Sequence, residues 1–108
     1  MKQTIKFEIN LDENHLPVDI KMGAGNSQVE EILKAIMISA WEPNKKETLR
    51  IDLWTKDMPV NEMYIMYYQS MISMANTLEK ATGHSKLSNA LKDYCEFFAE
   101  ETKIKSTK

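Results

Sequence analysis

Thr48-Leu-Arg-Ile-Asp-Leu-Trp-Thr-Lys-Asp-Met-Pro-Val-Asn-Glu-Met63 reads as a strand that runs through a short turn directly into a helix. Leu49, Ile51 and Leu53 alternate with Thr48, Arg50 and Asp52, the period-2 pattern of a half-buried strand. Pro59 cannot continue a strand but suits the first turn of a helix, and Asp57 is placed to accept from that turn's free N–H groups. Trp54 departs from the simple pattern, because parity puts this large aromatic on the polar face beside Arg50 and Asp52.

Upstream, Ile5, Phe7, Ile9 and Leu11 alternate with Thr4, Lys6, Glu8 and Asn10, and Leu16, Val18, Ile20 and Met22 alternate with Pro17, Asp19 and Lys21. The turn formers of Asp12-Glu-Asn-His15 join these two strands as an antiparallel hairpin, with Pro17 at an edge or a bulge. Ser27-Gln-Val-Glu30 matches a capping box. Val29, Ile32, Leu33, Ile36, Met37 and Ala40 follow at helical spacing, which predicts a helix running to about Trp41. A polar loop spans Glu42 to Glu47. Downstream of the opening strand, a second helix is expected from about Pro59 to Ala81, ended by Gly83. Ser85 caps a third helix with Leu87, Leu91, Tyr94, Cys95 and Phe98 on one face. The predicted order is ββαβαα, an α+β domain over residues 1–108. Its small three-stranded sheet packs helices on one face, and residues 103–108 fray.

The 108 residues are enough to bury a core without cross-links. Fourteen basic residues against sixteen acidic ones give a formal net charge of −2, and Arg50 is the single arginine. That balance argues against a nucleic-acid binder, which needs a basic face and several guanidinium forks for phosphate. One cysteine, Cys95, excludes an internal disulfide and suits a reducing compartment. The alternating start Met1-Lys-Gln-Thr-Ile-Lys-Phe-Glu is no signal peptide, and no apolar run is long enough to span a bilayer, so a cytoplasmic protein without membrane insertion is expected.

Chemistry is hard to place on this chain. His15 falls in a turn and His84 at a helix boundary, with no ligand set around either, so no metal is implied. Cys95 lies among Leu91 and Phe98, where a thiol is packing. Three glycines do not make a phosphate-cradling loop, no cofactor is implied, and the paired carboxylates Glu30/Glu31 and Glu100/Glu101 read as solvated charge. The expectation is a protein that is not an enzyme.

Features of binding surfaces are better represented. Met63, Met66, Met71 and Met74 share an arc of the second helix with Val60, Tyr67 and Leu78, read as core in preference to a Met-rich groove. Ile65, Tyr68 and Ile72 widen that arc until the helix is apolar over much of its circumference. Either the third helix covers this side or another chain does. Trp54, Arg50 and Asp52, with Lys6, share the polar face of the sheet. Tryptophan and arginine are enriched at contact hot spots, while an aromatic that closes the end of a sheet is the alternative. The candidate contact residues are therefore Arg50, Asp52 and Trp54 first, and Ile65, Tyr68 and Ile72 second. Exposed edges of a small sheet also invite self-association.

The run Thr48–Met63 resembles the signature stretch of the GldC-type gliding motility proteins of gliding Bacteroidetes-type bacteria. Weaker echoes lie in Lys34-Ala-Ile-Met-Ile-Ser-Ala-Trp41, Met74-Ala-Asn-Thr77 and Asp93-Tyr-Cys-Glu-Phe-Phe-Ala-Glu100. The resemblance implies a small soluble accessory factor of the gliding apparatus with no assigned catalytic activity. It would work from the cytoplasm on protein partners of the gliding and secretion machinery. A chaperone-like holdase for secreted or envelope proteins is the rival expectation.

Overall fold

A computed structural model of the chain describes residues 1–25 and 30–104. The element order is β1 (Ile5–Leu11), β2 (Pro17–Ala24), β3 (Glu30–Leu33), β4 (Ala35–Glu42), β5 (Glu47–Trp54), α1 (Val60–Thr82) and α2 (Ser85–Thr102). The α+β class and a three-stranded sheet are present as expected. The membership of the sheets is not. β1–β2–β3 form one antiparallel sheet and β4–β5 a separate antiparallel pair. Two compact units result, Met1–Met58 and a second that begins at Pro59.

The main correction falls on residues 30–41, read as the body of a helix and found as β3 and most of β4, whose last residue, Glu42, was read as loop. Ile36, Ile38 and Ala40 satisfy a period of 2 as well as Ile32, Leu33, Ile36, Met37 and Ala40 satisfy 3.6. The tie is broken by pairing with β5 in a continuous ladder from Ala35↔Trp54 to Glu42↔Glu47. A four-residue loop closes it, with Lys46 in the left-handed region at φ 55°. The Glu42 carboxylate accepts from the Asn44 and Lys45 N–H groups at 3.1 and 2.9 Å, fixing the turn locally. The capping-box residues Ser27, Gln28 and Val29 lie outside the described residues.

The first hairpin agrees with expectation. Asp12 Oδ1 accepts from the N–H groups of Asn14 and Leu16 at 2.8 and 3.0 Å, and His15 takes φ 64°. The register shifts between Asn10 and Leu11, where Leu11 faces Pro17, so proline sits at a bulge and at the strand end. Ile20, with Ile9 on one side and Leu33 on the other, is fully buried.

In the second unit α1 and α2 pack antiparallel through a seam of small residues. Ala75, Ser88, Cys95 and Ala99 are all fully buried, and Ser88 Oγ donates to the Ala75 carbonyl at 2.9 Å. Gly83, at φ 73°, ends α1 as read from the sequence. The caps differ from the expected ones. His84, not Ser85, caps α2, its Nδ1 accepting from Leu87 N–H at 3.3 Å. Asp57 does not cap α1 but takes the Thr55 hydroxyl at 2.6 Å. Met74 and Val60, expected in the core, are exposed, as are Leu87 and Tyr94 on α2. Lys103, at φ 61°, ends α2, and residues 105–108 of the expected frayed tail lie outside the described residues.

Burial has a chemical consequence at Cys95. Exclusion from water, with the Glu96 charge adding to it, pushes the thiol above its ordinary value, so little thiolate forms. Disulfide exchange with an aromatic disulfide reagent is expected to run about a hundredfold or more slower in native protein than in denaturant. A native rate near the denatured one would show that the α1–α2 seam opens readily.

Candidate protein-interaction surface

β5 alternates its side chains across a thin two-stranded sheet, so residues 48, 50, 52 and 54 share one face. Cross-strand pairing adds Trp41, Ser39, Met37 and Ala35 of β4 to that face. Arg50, Asp52 and Trp54 are thus together as the sequence parity required. Lys6, expected beside them, belongs to β1 in the other sheet.

The centre of the face is a hydrogen-bonded set. Arg50 Nε donates to Asp52 Oδ2 at 3.3 Å and Nη2 to Oδ1 at 2.5 Å, a two-pronged pairing, while Nη1 reaches Ser39 Oγ at 2.6 Å. A planar guanidinium held by both prongs loses much of its rotamer freedom before any partner arrives. Tryptophans stand at the two ends of the row, with Trp41 63% and Trp54 54% exposed. Both large aromatics on this face are therefore open to solvent, and Trp54 does not serve as a buried plug.

Beside Trp54 the surface dips into an open cleft of about 370 Å³ lined by Leu16, Pro17, Asp52, Leu53, Trp54 and Lys56. Its walls are held together. Lys56 N–H donates to the Pro17 carbonyl at 3.1 Å, and Lys56 Nζ bonds Asp12 Oδ2 at 2.8 Å. Across the strand end, Thr55, nearly fully buried, donates its N–H to the Lys34 carbonyl at 2.8 Å. The Lys56 ammonium and the turn N–H groups hold the Asp12 carboxyl down at about 2. The Thr55 hydroxyl, with Lys34 at 3.5 Å, lowers Asp57 as well.

A carboxyl whose folded value lies below its unfolded one stabilises the fold above the unfolded value, and that stabilisation is lost as pH falls through the folded one. For Asp12 the window runs from the ordinary 3.8 down to about 2. Asp12→Asn is therefore expected to be less stable than wild type at neutral pH and to converge on it across that window. Parallel urea titrations down the pH range measure this, and a gap that stays constant to pH about 2 would remove the acid linkage from this group.

The second trio of candidates divides. Tyr68 and Ile72 line a shallow groove of about 400 Å³ along α1 with Gln69, Ser73, Asn76, Thr77 and Lys80, and Ile65 is not part of it. All three are half-buried. Sequence reasoning missed an aromatic cluster on the helical hairpin. Phe98 meets Tyr64 edge-on at 6.0 Å and Tyr67 and Tyr94 at 6.4 Å, and Tyr94 touches Phe97 at 5.9 Å. The spacings Tyr64/Tyr67 and Tyr94/Phe97/Phe98 carried that signal. Sequence reasoning also missed Trp41, Leu16 and Lys56, which join Trp54 only through the strand pairing and the turn.

Among the described residues, no three His, Cys, Asp or Glu side chains converge as a metal site, and no helix is long and apolar enough to cross a membrane. Strand hairpins followed by a helical hairpin, with a two-tryptophan face around an arginine–aspartate pair, define a small α+β protein. Residues 17–104 match the family described as gliding motility-associated protein GldC-like, and the chain belongs to that family. Membership associates it with gliding motility. Comparison with curated proteins and with solved structures found no match.

Proposed function

We propose that this chain is a non-catalytic accessory protein of the gliding machinery that works in the cytoplasm by binding another protein of the apparatus. The observation that carries the reading is the convergence of Arg50, Asp52 and Trp54 on one exposed face, where Trp54 also borders the cleft. Large amphipathic aromatics flanking a preorganised guanidinium supply contact area at low ordering cost, the composition of a binding hot spot. The Arg50 and Asp52 charges offset each other, so the face favours an uncharged, apolar-rich partner surface over a strongly charged one.

Trp54→Ala tests the reading. Because the side chain is half exposed, the substitution is expected to change unfolding free energy by less than about 1 kcal/mol. Cross-linked capture from a gliding bacterium, wild type against this variant, should return a short set of envelope-machinery proteins that the variant loses. A broad set of unrelated secreted proteins, unchanged in the variant, would instead identify a holdase.

A further inference from the structure

β5 is unusual for an edge strand. Glu47 through Asp52 are all exposed, covering both faces, and the ladder to β4 has no bulge. β4 lies along one side of β5; on the other, among the described residues, no strand pairs with residues 47–54, and the Pro17 carbonyl takes the Lys56 N–H only past the strand's end. Leu49 and Ile51, at 55% and 50% exposure, leave an apolar stripe beside that side. The strand contains no proline. Natural edge strands are normally blunted by bulges, prolines or charged side chains; β5 has neither bulge nor proline, and its two central charges, Arg50 and Asp52, are of opposite sign, so they repel only a strand that presents them with like charge.

The sequence of β5 says which strand. In an antiparallel pair, directly opposed residues share a face, so self-pairing must set even positions against even ones. A register centred on Leu49 sets Ile51 against Glu47 and breaks the apolar stripe, which leaves the three centred on residues 50, 51 and 52. One sets Arg50 against Arg50 of the second copy, and another sets Asp52 against Asp52, each placing like charges at about 5 Å. The register between them sets Arg50 against Asp52 and Asp52 against Arg50, Ile51 against Ile51, and Leu49 against Leu53. It satisfies a twofold axis through Ile51, surrounds each charge with opposite charges from its own chain and its copy, and continues the apolar stripe across the junction.

We propose that β5 pairs with β5 of a second copy of this chain, in the register centred on Ile51, to make a four-stranded antiparallel sheet β4–β5–β5–β4. This inference deepens the interaction reading by naming a second copy as one partner. It also doubles the face that carries Trp41, Arg50, Asp52 and Trp54, with the two copies related by the twofold.

Purified chain alone tests it, so the outcome is separate from capture of a machinery protein. Sedimentation at high micromolar concentration should give a mass twice the 12.5 kDa of the chain. Arg50→Glu and Asp52→Lys, each studied by itself, oppose like charges across the twofold and should weaken the dimer by about tenfold or more. Mixed in equal amounts they should re-form a dimer, because the acidic variant's two carboxylates then face the basic variant's two cations. Melting curves of both variants confirm that they are folded. As a second readout, a spin label on Ile51→Cys, in a Cys95→Ser background, should report a close label pair only in the dimer. A monomeric wild type, a dimer indifferent to both charge reversals, or variants that fail to pair with each other would each overturn the proposal.

Discussion

Ile20→Ala is expected to lower the unfolding free energy by about 3 kcal/mol, the largest single effect in the first unit. Ile20 is fully buried at the middle of β2, the central strand of the three, with Ile9 and Leu33 opposite it. Removing its outer carbons forfeits both transfer free energy and the dispersion contacts of a site that cannot close around alanine, since strands flank it on both sides. The comparison that isolates burial is Ile32→Ala on β3. That isoleucine is 78% exposed, and its loss should change stability by no more than about 0.5 kcal/mol. Urea titrations of the two variants beside wild type decide the matter. Equal losses would mean that Ile20 is not the packing centre of this sheet.

The second large effect is the opposite kind of error, too much side chain in place of too little. Ala75→Leu should destabilise the helical hairpin by about 2–3 kcal/mol. Ala75, Ser88, Cys95 and Ala99 form a fully buried seam in which the Ser88 hydroxyl reaches the Ala75 carbonyl. A branched side chain there must push the helices apart. That would stretch the Ser88 bond and leave a buried hydroxyl short of its acceptor, a further loss of about 1 kcal/mol or more. Met74→Ala, one residue away but 59% exposed, should be nearly silent. Denaturant melts followed by helical circular dichroism, with Cys95 reactivity as a second reporter, measure both. A tolerated leucine would mean that the helices are not close-packed at this point.

How much of this was legible depended on whether local signals agreed. At Thr48–Met63, period-2 alternation, the proline and the onset of helical spacing pointed the same way, and β5 and α1 follow within a residue or two. The β1–β2 hairpin was legible for the same reason, its turn chemistry confirming its alternation. Residues 30–41 were not, because their apolar positions satisfy both periods. The deciding contact, the ladder to β5 across the Pro43–Lys46 loop, is a match between two strands that the periodicity of residues 30–41 alone does not contain. That misreading hid Trp41 and Ser39 from the candidate surface, although the parity of β5 alone placed Arg50, Asp52 and Trp54 together. On α1, periodicity marked the apolar arc but not the part α2 covers. The buried seam is lined by alanine, serine and cysteine, whose small size, not their hydrophobicity, lets two helices approach. Hence Met74 was expected inside and Ala75 drew no attention.

Among the described residues, the substantial pairings within each unit join neighbours in the chain: β1 with β2, β2 with β3, β4 with β5, and α1 with α2. Each joins elements only a few residues apart in sequence, so little chain entropy is lost before contacts compensate for it. The protein can therefore assemble piece by piece in the order in which a ribosome releases it, each hairpin forming once its own second arm emerges. Only the proposed pairing of two finished chains through β5 would depend on concentration.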